Sequence, residues 1–153
     1  MSESCRKGIL ILGYGNPGRQ DDGLGPALTE TVECWGLPDV AAEVSYQLNI
    51  EDAAVLADYE KVLFVDASRN GPEPYSFGEV KPASTVTFTT HSVPPESVLA
   101  ICDDHFGPPP PAWALGIRGY EFGFGEELTP RARANLDKAI AFVQSLLRTW
   151  KES

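Results

Sequence analysis

Cysteine is scarce in this chain. Its 153 residues include three, Cys5, Cys34 and Cys102, widely spaced and without a CxxC pair. That excludes a disulfide-stapled scaffold and a zinc ribbon, and it fits a reducing compartment. Basic residues are also few: 12 Lys and Arg stand against 22 Asp and Glu, for a net charge of -10. A field of that sign repels nucleic acid and anionic membranes, although a local basic patch is compatible with it. Long apolar runs are missing too. The first, GILIL at 8–12, falls well short of the ~20 residues of a membrane span or the roughly 7–15 of a signal h-region. The expected location is cytoplasmic. No repeat and no linker divides the chain.

What is present is an ordinary globular balance, with 42% apolar and 22% charged residues. The length fits one domain over 1–153, large enough to bury about two-thirds of its unfolded surface. Residues 8–12 read as a strand buried on both faces. A glycine-rich loop follows to Gly25, and Pro26 opens a helix that ends at Gly36. Ala41–Leu48 alternates as a strand. Asn49 is placed to cap a helix from Ile50 to Tyr59, with Glu51 and Asp52 in its first turn. VLFV at 62–65 is a second apolar strand, stopped by Asp66. Residues 69–84 are rich in Gly and Pro, with room for a short strand at Phe77–Val80, and Thr85–Thr89 is strand-like. Pro94–Pro95 start a helix through Cys102, Pro108–Pro111 form a stiff connector, and Ala112–Ile117 is a strand. A second glycine-rich loop, 119–127, precedes a helix capped by Thr129 that begins at Pro130 and runs to Trp150. Strands alternating with helices predict a three-layer αβα sandwich, α/β in class, with about five mainly parallel strands and possible mixed pairing.

Ligands of such sheets bind beyond the carboxyl ends of the strands. Asp21 and Asp22 in the first glycine loop, Asp66 ending VLFV, and His91 after TVTFTT all fall there. Each has a structural reading: an Asx turn or cap for Asp22, a turn through Ala67 and Ser68 for Asp66, a helix-entry residue for His91. Their shared edge favours a site, and two carboxylates with an imidazole suit Zn²⁺, Ni²⁺ or Mn²⁺. His105 reads as structural at a helix end. Cys34 and Cys102 read as buried small hydrophobes. Gly13 to Gly18 spells GxGxxG, but a dinucleotide loop would lead straight into a helix, and here Asp21 and Asp22 would face the pyrophosphate.

The segment GYGNPGRQDDGLGP, Gly13 to Pro26, resembles the G-x-G-N-x-x-x-x-D-D/E-G-x-G motif of the NiFe-hydrogenase maturation endopeptidases. VLFVDAS resembles that family's apolar strand ending in a functional Asp, and TTHSVPPESVL its His-bearing segment. EFGFGEELTP resembles its FGxGL-S/T-P entry into the last helix. The likeness spans about residues 8 to 150. It implies a hydrolase, an aspartic-type endopeptidase that removes the C-terminal extension of a hydrogenase large-subunit precursor after nickel insertion. It implies metal contacts at Asp22, Asp66 and His91, with Asp22 one methylene shorter than the Glu often found there. The nickel is carried by the substrate protein, and no organic cofactor is implied. The expected partner is the large-subunit precursor, and the chain is expected to be a monomer. For cleavage two routes stay open: Asp22 or Asp66 as general base on a water, or a metal polarising the carbonyl or water. Gly15, Asn16 and Gly23 are candidate substrate-binding residues, the Gly15 and Asn16 N–H groups as oxyanion donors. A nickel-sensing assembly chaperone would use the same residues without cleavage. GYGNPG also resembles the GLGNPG of peptidyl-tRNA hydrolases, but their basic channel and T-R-H-N motif have no counterpart here.

Overall fold

The computed structural model describes residues 6–84 and 93–152. Five strands form one sheet: β1 (Lys7–Tyr14), β2 (Val40–Ser45), β3 (Tyr59–Ser68), β4 (Tyr75–Val80) and β5 (Ala112–Arg118). Their order is β2-β1-β3-β5-β4. The three inner pairings are parallel and β4 runs antiparallel to β5, so the sheet is mixed. Four helices complete the sandwich: α1 (Leu24–Cys34), α2 (Glu51–Leu56), α3 (Pro95–His105) and α4 (Pro130–Glu152). Among the described residues no helix is long and apolar enough to cross a membrane.

The alternation of strand side chains explains the layering. Ile9, Ile11, Leu63, Val65, Leu115 and Ile117 point to one face, where α1 and α4 cover them with Leu28, Val32, Leu136 and Val143. Leu10, Leu12, Val62 and Phe64 point to the other, against Leu56 of α2 and Val98, Leu99 and Cys102 of α3. Asp66 follows Phe64 by two residues and Tyr14 follows Leu12 by two, so both continue the α2–α3 face at the carboxyl edge.

Several boundaries differ from the sequence reading. VLFV does not stop at Asp66, because the ladder to β5 continues through Asp66↔Gly116, Ala67↔Ile117 and Ser68↔Arg118. The helix expected to reach Tyr59 ends at Leu56, since Tyr59 already pairs with Lys7 of β1. β2 ends at Ser45, the last residue opposite β1. Asn49 does not cap α2 with its side chain; instead its N–H donates to Asp52 Oδ2 at 2.9 Å. Cys34 is exposed, whereas Cys102 is buried as expected. The strand expected at 85–89 lies outside the described residues.

At one point the helix layer touches the sheet backbone directly. A Cβ on Gly25 would sit 2.5 Å from the Val65 carbonyl oxygen and 2.7 Å from that of Tyr14. No side chain fits between α1 and strands β1 and β3 there. Gly25→Ala must therefore push α1 outward, and it is expected to cost about 3 kcal/mol, at the upper end of overpacking effects. Urea unfolding of the variant beside wild type measures this.

Candidate functional site

The carboxyl edge is built from the loops after β1, β3 and β5. The first begins with Gly15, whose N–H donates to the Ser45 carbonyl at 3.0 Å. Asn16 Oδ1 accepts from the Gly18 N–H at 2.8 Å, a local turn of the kind short amide side chains favour. The Asn16 N–H donates to Asp22 Oδ2 at 2.7 Å. The Gly15 and Asn16 N–H groups, expected as oxyanion donors, both have acceptors in this arrangement. Gly23 packs on Pro17, where an added Cβ would lie 3.0 Å from Pro17 Cα. These three residues shape the loop.

Residues Gln20–Gly23 form a 3₁₀ turn before α1 starts at Leu24, so the GxGxxG run does not lead directly into a helix. The turn places its adjacent acids in opposite surroundings. Asp21 is fully buried. Its carboxylate accepts four hydrogen bonds: from Tyr120 N–H at 2.7 Å, Glu121 N–H at 3.1 Å, Thr129 N–H at 2.8 Å and the Thr129 hydroxyl at 2.8 Å. Burial alone would raise its pKa. The Thr129, Tyr120 and Glu121 donors outweigh burial and hold it below the usual carboxylate range. Backbone bonds extend the join, from Gln20 N–H to Gly125 O at 2.7 Å and from Gly125 N–H to Gly18 O at 3.0 Å. Gly119 is needed here: its Cβ would lie 2.7 Å from Asp21 Cβ. Sequence reasoning gave Asp21 no role of its own. The available signal was a buried-type partner set, Thr129 before Pro130 and a second glycine loop, but neighbouring acids look alike until the turn is known.

Asp22 is half-buried and lies close enough to Asp66 for the two charges to interact. Asp66 Oδ1 accepts the Ala67 N–H at 2.7 Å. Burial raises the Asp66 pKa, the Ala67 bond opposes this, Asp22 adds to it and Arg69 opposes it, leaving the carboxyl at about 7. Near neutral pH the group is poised to take or give a proton. Tyr14, on the neighbouring strand, has its phenol pushed up by burial and by the charges of Asp66 and Glu96. Among the described residues, Asp22 Oδ1 and Asp66 Oδ2 have no hydrogen-bond partner. They supply two free carboxylate oxygens to anything seated between them. The described residues contain no group of three His, Cys, Asp or Glu side chains able to hold a metal ion. His91, the third expected ligand, lies outside the described residues. His105 ends α3 on the surface, as expected.

No family model and no curated protein matches the chain. Solved structures do. The hydrogenase 2 maturation peptidase of a Thaumarchaeota archaeon is 24% identical, with TM-score 0.68 over 92% of this chain and 98% of that one. The NiFe-hydrogenase maturation protease HycI of Thermococcus kodakarensis is 23% identical, with TM-score 0.67 over 94% and 93%. The hydrogenase maturating endopeptidase HybD of Escherichia coli is 20% identical, with TM-score 0.72 over 92% of both chains. These likenesses define the class of fold, a mixed five-stranded αβα sandwich. It is the fold of the hydrogenase maturation proteases, the family that the first glycine loop resembles in sequence.

Asp21, which is buried, and Asp66, which is half-buried, have opposite linkage to pH. Asp21 has a depressed pKa, so its contribution to stability is present above about pH 3.9, the unfolded value, and is lost as pH falls through the folded one. Asp21→Asn would turn an amide N–H₂ toward N–H donors. It is expected to cost about 3 kcal/mol at pH 7 and to remove this acid-sensitive component. Asp66 has a raised pKa. The folded state keeps a proton that the unfolded chain releases, so stability falls as pH rises from about 4 to about 7. Asp66→Asn should flatten that slope and be about 2 kcal/mol more stable than wild type at pH 8. Denaturant melts of both variants at pH 3, 5 and 8 check the two signs.

Proposed function

We propose that this chain is a hydrogenase maturation endopeptidase that removes the C-terminal extension of a NiFe-hydrogenase large-subunit precursor. The observation that carries the reading is the pair Asp22 and Asp66, brought from separate segments to one edge of a maturation-protease fold. The nickel belongs to the substrate. Asp22 Oδ1 and Asp66 Oδ2 would face it together with His91, and the remaining ligands would come from the precursor. Metal contact would then report that loading is complete and position the scissile bond.

In the cleavage step, Asp66 is the better proton carrier. Burial and the Asp22 charge raise its carboxyl pKa above the usual range in the metal-free chain, which suits it to accept a proton from a water and return it to the leaving amine. Asp22 raises the proton affinity of Asp66 and is anchored by the Asn16 N–H, so it serves to orient and to bind charge. On this reading the protein works in the cytoplasm.

The test is to incubate the chain with a nickel-loaded, extended precursor and to follow the precursor by mass spectrometry. Loss of the C-terminal extension is expected. Asp22→Asn, Asp66→Asn and His91→Ala should each slow it by about 100-fold or more, the scale of losing a positioned acid–base group. Stable binding without any mass loss would replace the peptidase with a nickel-sensing chaperone.

A further inference from the structure

Two arginines stand on the carboxyl edge of a chain whose net charge is -10. Arg19 follows β1 and Arg69 follows β3, and both are exposed. The Arg19 guanidinium lies 4.6 Å from the centre of the Phe124 ring, and that of Arg69 lies 4.0 Å from Phe122. Both rings come from the glycine loop after β5, and Phe124 is 85% exposed. The ion pairs among the described residues are Lys81–Glu79 and Arg131–Glu73. Among those residues, neither Arg19 nor Arg69 donates a side-chain hydrogen bond or lies within ion-pair distance of an acid, and Arg69 acts on Asp66 only through its charge at longer range. Arg118 is a contrast: it also lies over an aromatic ring, but its Nη1 donates to the Gly71 carbonyl at 2.7 Å and ties a loop.

A guanidinium held over a ring face by its charge leaves N–H donors for other partners, and the guanidinium fork matches a carboxylate. Holding the side chain in place beforehand lowers the entropic cost of using it. We propose that Arg19 and Arg69, on their phenylalanine supports, are a docking element for an acidic peptide segment of a protein partner. The inference rests on the peptidase reading for the identity of that partner, the precursor. Charge complementarity selects the occupant. A polyphosphate chain would meet the overall negative field with only two cations to hold it, whereas one or two carboxylates match two guanidinium forks. The neighbouring Asp22 and Asp66 repel an acid placed on them. The acidic part of the segment therefore lies over the β5 side of the edge, and the part that faces the carboxylate pair is not acidic. The element thus sets the direction in which a segment crosses the site.

The test uses three fluorescein-labelled decapeptides, alternating Glu–Ala, Gln–Ala and Lys–Ala, titrated with the intact protein and read by anisotropy. The Glu peptide should bind about tenfold tighter than the Gln peptide, against the sign of the net charge, and the difference should shrink as salt is raised. The double variant Arg19→Gln/Arg69→Gln should lose this preference. The Arg→Lys pair should keep only part of it, because Lys preserves charge without the planar fork. Phe124→Ala is exposed enough to fold normally and should weaken the Glu peptide alone. Equal binding of the Glu and Gln peptides to wild type, or a preference unchanged in the double variant, overturns the proposal, as does a preference for the Lys peptide alone. With the precursor as substrate, the single variant Arg19→Gln, which leaves the Arg69 charge beside Asp66 in place, should raise KM severalfold and leave kcat unchanged. Selective binding of the Glu peptide without precursor cleavage leaves this inference standing and removes the peptidase. Cleavage with unchanged KM does the reverse.

Discussion

One buried carboxylate joins the loops of the candidate site. Among the described residues no cation pairs with Asp21, and it is fully buried, a placement that costs several kcal/mol unless hydrogen bonds compensate. Four donors do so: the backbone N–H groups of Tyr120, Glu121 and Thr129 and the Thr129 hydroxyl. They come from both ends of the second glycine loop, so one side chain closes that loop on itself and onto the first loop. Thr129 is part of the same economy of groups: its oxygen also accepts the Ala132 N–H at 3.3 Å and so caps the longest helix. The last helix, the second loop and the 3₁₀ turn are thereby registered against one another.

That registration separates the fates of two neighbouring acids. The turn aims Asp21 into the protein, which leaves Asp22 facing the sheet edge beside Asp66. Among so many acids, the protein makes each carboxylate chemically distinct by surroundings alone. Asp21 is kept ionised by donors. The Asp66 carboxyl is pushed up to about 7 by burial and by Asp22. Location on the sheet explains the second case: Asp66 continues the apolar face of Val62 and Phe64 and is itself half-buried at its end.

The fold was legible where patterns are local. Two apolar runs marked the central strands, and Thr129–Pro130 marked the start of the last helix, because caps and double-sided burial leave composition signatures. Strand ends were less legible. Asp66 looks like a terminator, yet pairing with Gly116 carries the backbone past it, and a ladder partner is a tertiary fact. The same holds for Tyr59, claimed by β1 before a helix could reach it. Of the site, Asp22 and Asp66 could be read from motif and edge position. The function of Asp21 could not, because its donors lie about 100 residues away and neither acid of the DD pair announces which way it points. Gly15 and Asn16 looked available in sequence because an N–H shows no sign of its acceptor until the chain is folded.

The contact between Gly25 and the Val65 carbonyl bears on tolerance. Asp66 follows Val65 directly and Asp22 stands three residues before Gly25, so the two carboxylates hang from a junction of main chain on main chain. No rotamer intervenes in that junction. The separation of the main-chain segments that carry the acids therefore has the stiffness of a hydrogen-bonded sheet. What adjustment the gap retains lies in the two torsions of each aspartate side chain, so a guest is accommodated by rotamer changes and not by movement of the frame.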